Sequence, residues 1–177
     1  MRRLLYLLPV LVLGVLALFF MKGLEMDPHE IPSVLLNTPA PAINLAALPG
    51  HDHGLTTDDL KGRVSVVDIF GSWCVSCAQE HPTLLAIKET GIVPIYGIDW
   101  RDDPVKGAEW LKKNGDPYER VGLDPAPGHA SVDFGVTGAP ESFIVDKGGI
   151  IRWKHIGPIT PEVWETELLP KIRELQK

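Results

Sequence analysis

Two patterns of apolar positions divide the chain. From Leu4 to Met21 nearly every residue is apolar, with only Tyr6, Pro9 and Gly14 interrupting, and Arg2 and Arg3 stand just before the run. As a helix, these eighteen residues reach roughly 27 Å, sufficient for the hydrocarbon core of a bilayer. Arginines flanking such a run stay in the cytoplasm and send the remainder of the chain across. The run ends Leu18-Phe19-Phe20-Met21-Lys22, without the small-residue pattern of a cleavage site. The sequence therefore predicts an uncleaved transmembrane anchor over residues 1–22. Pro28 and Pro32 then mark an extended tether over 23–36, in which His29 is a solvated side chain.

From residue 37 onward the pattern is that of one α/β domain. Val64 to Phe70 is β-branched and almost wholly apolar, the mark of a central strand covered on both faces. Ala78 to Thr90 predicts a helix that packs through Leu84, Leu85 and Ile87, is kinked at Pro82 and stops at Gly91. Ile92 to Asp99 predicts a second buried strand, Pro104 to Lys113 a helix opened by proline, and Tyr118 to Leu123 a short strand. Ile43 to Leu48 predicts a short strand near the start, and Asp58 to Gly62 a helical turn. Ser142 to Asp146 and Ile150 to His155 flank Lys147-Gly148-Gly149, a hairpin signal. Glu162 to Leu175 predicts an amphipathic closing helix. Strands alternating with helices, then a hairpin and a last helix, indicate an α/β sandwich.

Charge and cysteine usage narrow the chemistry. A net charge of −6 and a pI near 5.5 give no electrostatic footprint for nucleic acid. The 2 cysteines, Cys74 and Cys77, stand three apart where the Val64 to Phe70 strand hands over to the Ala78 to Thr90 helix. Positions i and i+3 share a helix face, so the sulfurs can approach bonding distance. A thiol at a helix N-terminus feels the positive end of the backbone dipole, which favours its thiolate. Cys74 is then the attacking thiol and Cys77 the resolving one. An inert disulfide would close too short a loop to gain much entropy. A structural zinc site needs four ligands, and beyond the cysteine pair only His81 stands close by. Covalent haem attachment needs His directly after the second cysteine, where this chain has Ala78. His51-Asp52-His53, between Gly50 and Gly54, predicts an exposed turn, and Asp124 to His129 a loop without assignable chemistry. No metal and no cofactor are expected.

Trp73-Cys74-Val75-Ser76-Cys77 between such a strand and such a helix resembles thioredoxin. Asp68 lies six residues before Cys74, where thioredoxins keep a buried acid beneath the second cysteine, and Pro82 lies eight after it. Cys77 to Pro82, Gly97 to Asp103, and the run Asp133 to Asp146 with Gly138-Ala139-Pro140-Glu141 are similar to the DsbE/CcmG family. These are membrane-tethered periplasmic thiol:disulfide interchange proteins of cytochrome c maturation. The resemblance spans about residues 37–177. It implies a thioredoxin-like fold, a central mixed β-sheet flanked by helices, behind an N-terminal transmembrane helix.

It further implies a protein-disulfide reductase on the periplasmic side of a bacterial inner membrane. Cys74 and Cys77 form its redox-active disulfide. Asp68 and Glu80 assist proton transfer, while Trp73, Pro140 (as a cis proline) and Glu141 contribute to substrate binding. The implied partners are apocytochrome c or its haem-ligation chaperone as substrate, and a DsbD/CcdA-type membrane thiol transporter as electron donor. Ser76 stands where thioredoxins place proline, so redox poise does not transfer; Asp68 stands where many members of this family carry asparagine, which leaves the proton-transfer role of that position open. Acids near the dithiol argue for a reductant, because they disfavour the thiolate that a strong oxidant stabilises. A general periplasmic oxidant or isomerase, a thiol peroxidase and a redox-inactive apocytochrome-binding module stay open as alternatives.

Overall fold

The structure, a computed structural model, describes residues 2–24 and 35–177, with side chains in the first segment at Pro9 and 11–22. The chain divides into two units, Met1–Pro32 and Ser33–Lys177. In the first, helix α1 (Arg2–Leu24) exposes its described apolar side chains from Leu11 to Met21. Among the described residues no helix is long and apolar enough to cross a membrane. Most of the predicted tether, His29 included, lies outside the described residues.

In the second unit the strands are β1 (Asn44–Ala47), β2 (Leu55–Thr56), β3 (Ser65–Phe70), β4 (Ile95–Trp100), β5 (Arg120–Asp124), β6 (Glu141–Val145) and β7 (Ile151–Ile156). They form one sheet in the order β2-β1-β5-β4-β3-β6-β7. The central trio β3, β4 and β5 is parallel, and the outer pairings are antiparallel. The sheet is mixed, as the resemblance implies. Helix α2 (Val75–Thr90) carries the chain from β3 to β4, and α3 (Pro104–Asn114) from β4 to β5. Both crossovers step in one direction along the sheet, so both helices lie on one face.

Strand periodicity then sorts the side chains. Along β3, Val66 and Phe70 enter the core that also holds Cys74, Cys77, Leu84, Ile87 and Tyr118. Val67 and Ile69 point the other way, to Tyr96, Ile98, Phe134 and Phe143. Asp68 has the parity of Val66 and Phe70 and faces the cysteine side. Burial of Leu84 and Ile87 secures α2 to that side, at about 2 kcal/mol each. Helix α4 (His129–Asp133), which starts where the predicted Asp124 to His129 loop ends and for which the sequence predicts no element, buries Ala130 in the core of the opposite face, where Phe134 joins it.

Two prolines behave differently in their helices. Pro82 lies inside α2, which continues past it to Thr90. Near the C-terminus, α5 (Pro161–Val163) and α6 (Leu169–Gln176) are joined by a π-helical turn over Trp164–Leu168, in place of the single predicted helix. Pro170 supplies no N–H and its ring crowds the carbonyl four residues back. Widening the preceding turn lets the Leu169 N–H reach the Trp164 carbonyl and the helix continue.

The segment that follows the undescribed stretch is laced to the edge of the sheet. Asn37 and Ala40 donate to the carbonyls of Ile151 and Gly149, both at 2.8 Å, and Ile151 returns a bond to Thr38 at 3.0 Å.

Candidate active site

The site begins at a helix cap. Cys74 keeps extended backbone angles, φ −89° and ψ 110°, so its side chain turns back over the first turn of α2. There the Cys77 N–H donates to the Cys74 sulfur at 3.1 Å. The two sulfurs are bonded to each other, with the Cα atoms 5.3 Å apart. Cys74 retains 6% of its surface and Cys77 only 2%, so Cys74 is the sulfur an incoming chain meets first. On reduction the same N–H and the helix dipole favour negative charge on Cys74.

The turn before the cap is fixed from the side of β4. Asp102, in the loop between β4 and α3, accepts the Ser72 hydroxyl at 2.9 Å and the Ser72 N–H. The Trp73 indole N–H donates to the Trp100 carbonyl at 3.2 Å, leaving the ring half exposed beside the disulfide. This fold-back requires Gly71, because a Cβ there would lie 2.5 Å from the indole nitrogen. Opposite, the Ala139–Pro140 bond is cis, and the Ala139 carbonyl oxygen lies 3.4 Å from the Cys74 sulfur. A second cis bond, Ala126–Pro127, carries no signal in the sequence.

Two carboxyl groups lie within the core of the cysteine face. Asp68 is wholly buried and accepts the Tyr118 hydroxyl at 2.8 Å and the Ser142 hydroxyl at 2.9 Å. Burial raises its pKa to about 6 against the pull of those hydroxyls. Glu80, one turn after Cys77, accepts the Ile159 N–H at 2.8 Å through one oxygen, and its other oxygen has no partner among the described residues. Burial first, and then the Asp68 charge, push it up to about 10. Near neutral pH this pair holds one proton and one negative charge. It can accept the proton that Cys77 must lose before it attacks.

Glu141 is placed elsewhere. It has the parity of Phe143 and Val145, on the opposite face of the sheet from the cysteines. One oxygen accepts the N–H groups of Thr137 and Gly138 at 2.8 and 3.1 Å and the Thr137 hydroxyl; the other pairs with Lys154 at 2.8 Å. With none of its surface exposed, Glu141 offers nothing to a substrate. The substrate-binding role expected of it is corrected to bracing the loop that presents Pro140. His81 turns its Nε2 to the Gly115 carbonyl at 2.9 Å and its ring edge to Trp110. His51, in the predicted exposed turn, pairs with Asp116 at 3.2 Å.

The site therefore unites Cys74, Cys77, Asp68, Glu80, Trp73 and Pro140, and excludes Glu141. Sequence reading missed Tyr118 and Ser142, which fix Asp68, and Ser72 and Asp102, which fix the turn. Asp102 and Ser142 stand within the stretches that resemble the family, but nothing in the type or spacing of these four residues points them at the turn or at Asp68. The geometry suits disulfide exchange. A Cys74 thiolate attacks a partner disulfide, the partner's leaving thiolate takes a proton, and a mixed disulfide remains. Cys77, deprotonated by the buried pair, attacks the Cys74 sulfur. That step breaks the bond from Cys74 to the partner, whose second sulfur leaves as a thiolate and takes a proton; the Cys74–Cys77 bond is re-formed, and two electrons have passed to the partner.

A model of the Redoxin family matches residues 35–168. The thiol:disulfide interchange protein DsbE of Pseudomonas aeruginosa is 40% identical over 99% of this chain and 96% of its own length. That of Allochromatium vinosum is 42% identical over 96% and 93%. The thiol:disulfide interchange protein HelX of Rhodobacter capsulatus is 36% identical over 92% of both chains. Among solved structures, a thiol-disulfide isomerase from Corynebacterium glutamicum shares the fold, with a TM-score of 0.63 and 22% identity over 78% of this chain and 97% of that one. A cysteine pair on a helix cap beside a cis proline, in a chain this similar to curated interchange proteins over nearly its whole length, places it in the Redoxin family, among the thiol:disulfide interchange proteins of the DsbE kind.

Proposed function

We propose that the chain is a membrane-anchored protein-disulfide reductase of the bacterial periplasm, acting in cytochrome c maturation on the haem-attachment cysteines of apocytochrome c or of the chaperone that carries it. The observation that carries the reducing direction is the buried pair Asp68 and Glu80 within the core of the dithiol. Negative charge there opposes thiolate formation, whereas a strong oxidant gains its potential from a stabilised reduced form. A DsbD/CcdA-type membrane thiol transporter is the electron donor in this reading. The apolar run from Leu4 to Met21 behind Arg2 and Arg3 supports an anchor. Anchoring donor and substrate on one membrane surface raises their effective concentration.

The helix cap supports a second reading. The Cys77 N–H on the Cys74 sulfur stabilises the reduced form and pulls toward a general oxidant or isomerase. Equilibration of the dithiol with glutathione decides between them. A potential near that of thioredoxin is expected, and one near that of DsbA, about −120 mV, would refute the reductant. Cys77→Ser in membranes should trap Cys74 in a mixed disulfide with a c-type apocytochrome or its carrier. A Cys74→Ser, Cys77→Ser double variant that still supports cytochrome maturation would establish a binding module instead.

A further inference from the structure

The rim of the dithiol site carries a cation that disulfide exchange as described does not use. Immediately after β4 the chain turns left-handed at Arg101, with φ 51°, a conformation that residues with a Cβ rarely adopt. The Arg101 N–H donates to the Asp124 carbonyl at 2.8 Å, and its Nε–H to the Pro127 carbonyl at 2.7 Å. So held, the guanidinium carbon lies 4.9 Å from the centre of the Trp100 ring. That ring lies 5.8 Å from the half-exposed Trp73, which precedes Cys74. The turn from Pro125 to Gly128 packs against both side chains: a Cβ on Gly128 would lie 2.4 Å from the Trp100 indole nitrogen and 3.2 Å from the Arg101 Cγ.

Two acids follow Arg101 in the sequence, yet neither pairs with it. Asp102 accepts the Ser72 N–H and hydroxyl, and Asp103 accepts the Val105 and Lys106 N–H groups at the start of α3. Among the described residues no carboxylate forms an ion pair with Arg101, and neither of its Nη atoms has an acceptor. Because Nε is engaged by the backbone, the available end is the planar fork of the two Nη groups. That fork matches a carboxylate through two parallel hydrogen bonds. A long side chain already stacked and tied has little freedom left to lose on binding.

We propose that Arg101 is a specificity-determining residue of the dithiol site: it receives the carboxylate of an aspartate or glutamate in the partner polypeptide, close in sequence to the cysteine that Cys74 attacks. Trp73 adjoins Cys74 in the chain, and the row Trp73, Trp100, Arg101 runs on from it. An extended partner advances roughly 3.3 Å per residue, so the separations along that row put its acid within about five residues of its cysteine. With a net charge of −6 the chain as a whole repels acidic partners, and an unpaired guanidinium at the rim selects among them by where the acid sits.

The inference rests on the reading that the dithiol exchanges with polypeptide disulfides. Its test uses the reduced full chain and a series of disulfide peptides. Each carries a glutamate at a successive position on either side of the attacked cysteine, and each is compared with its glutamine twin. At one or two neighbouring positions the wild-type protein should exchange with the glutamate form roughly three- to tenfold faster at low salt, and the gain should fade in high salt. Arg101→Gln should lose that gain, and Arg101→Lys, a point charge without the fork, should keep part of it. If Arg101→Gln does not fold, the Arg101 Nε resonance of labelled wild-type protein decides, because it should shift with the glutamate peptide and stay in place with its twin. Equal rates for every pair in the wild-type protein, a gain that survives in Arg101→Gln, or an indifferent Nε resonance overturns the proposal and leaves Arg101 a brace of the Pro127 loop. No exchange with any peptide would defeat the reductant reading together with it.

Discussion

Glu80 and Glu141 are both glutamates, both almost or wholly buried, and both expected from the sequence to act at the dithiol. The structure separates them by the sheet. Glu80 shares the core of the cysteines, has one N–H donor and one oxygen without a partner, and no cation among the influences on its charge. Glu141 lies on the opposite face, saturated by donors from its own loop and paired with a Lys154 whose side chain is itself 8% exposed. A buried carboxyl without a cation stays neutral and can exchange a proton; one with a cation and three donors is a brace. Residue type and burial alone do not distinguish chemistry from architecture. The neighbours do.

Substitutions should separate the two as cleanly. Glu141→Ala strands the Lys154 ammonium in a buried site and should cost about 3–5 kcal/mol in urea unfolding of the oxidised protein. A loss below about 1 kcal/mol would mean that the pair is not a brace. Next in size is the pH dependence of stability set by the cysteine-face acids. An unfolded aspartate ionises near pH 4, whereas Asp68 in the folded protein holds its proton to about pH 6. Asp68 should therefore contribute a fall in stability of roughly 3 kcal/mol as pH rises through that window, on top of the fall from Glu80, and Asp68→Asn should shrink the fall and unfold at higher urea at pH 8. A wild-type protein equally stable at pH 4 and pH 8 would remove the desolvated acid from the account. Smallest in energy is Glu80→Gln, which keeps shape but not the proton. It should leave stability unchanged or raised and slow resolution of the mixed disulfide by about 10- to 100-fold in stopped-flow exchange. A variant as fast as wild type would reduce Glu80 to the structural status of Glu141.

Much of this was legible in the sequence, for a reason that differs from element to element. The nearly continuous apolar run at β3 reads as a strand covered on both faces, and the cysteine spacing at its end narrows the chemistry to that of a dithiol. The closing helix was read as continuous because its apolar positions keep helical spacing; Pro170 widens a turn without changing which residues face the core. Helix α4 was missed because five residues between a cis proline and Gly135 are too few to show a period. Parity within β6 is the instructive failure. Glu141 follows the proline that faces the dithiol, yet a strand sends successive side chains to opposite faces, so adjacency in sequence put it across the sheet. Asp68 interrupts a largely apolar strand, and that interruption was the available sign of a buried acid with partners of its own.

A domain that trades disulfides with other polypeptides risks being zipped to them through its own sheet. Here one outermost ribbon, β2, is two residues long, and the start of the other, β7, is already occupied by the chain's own residues 37–40. A visiting strand thus finds fewer unspent backbone groups at β2 and at the start of β7. Its contacts concentrate at the mouth around Cys74, and it can leave once the sulfurs have been exchanged.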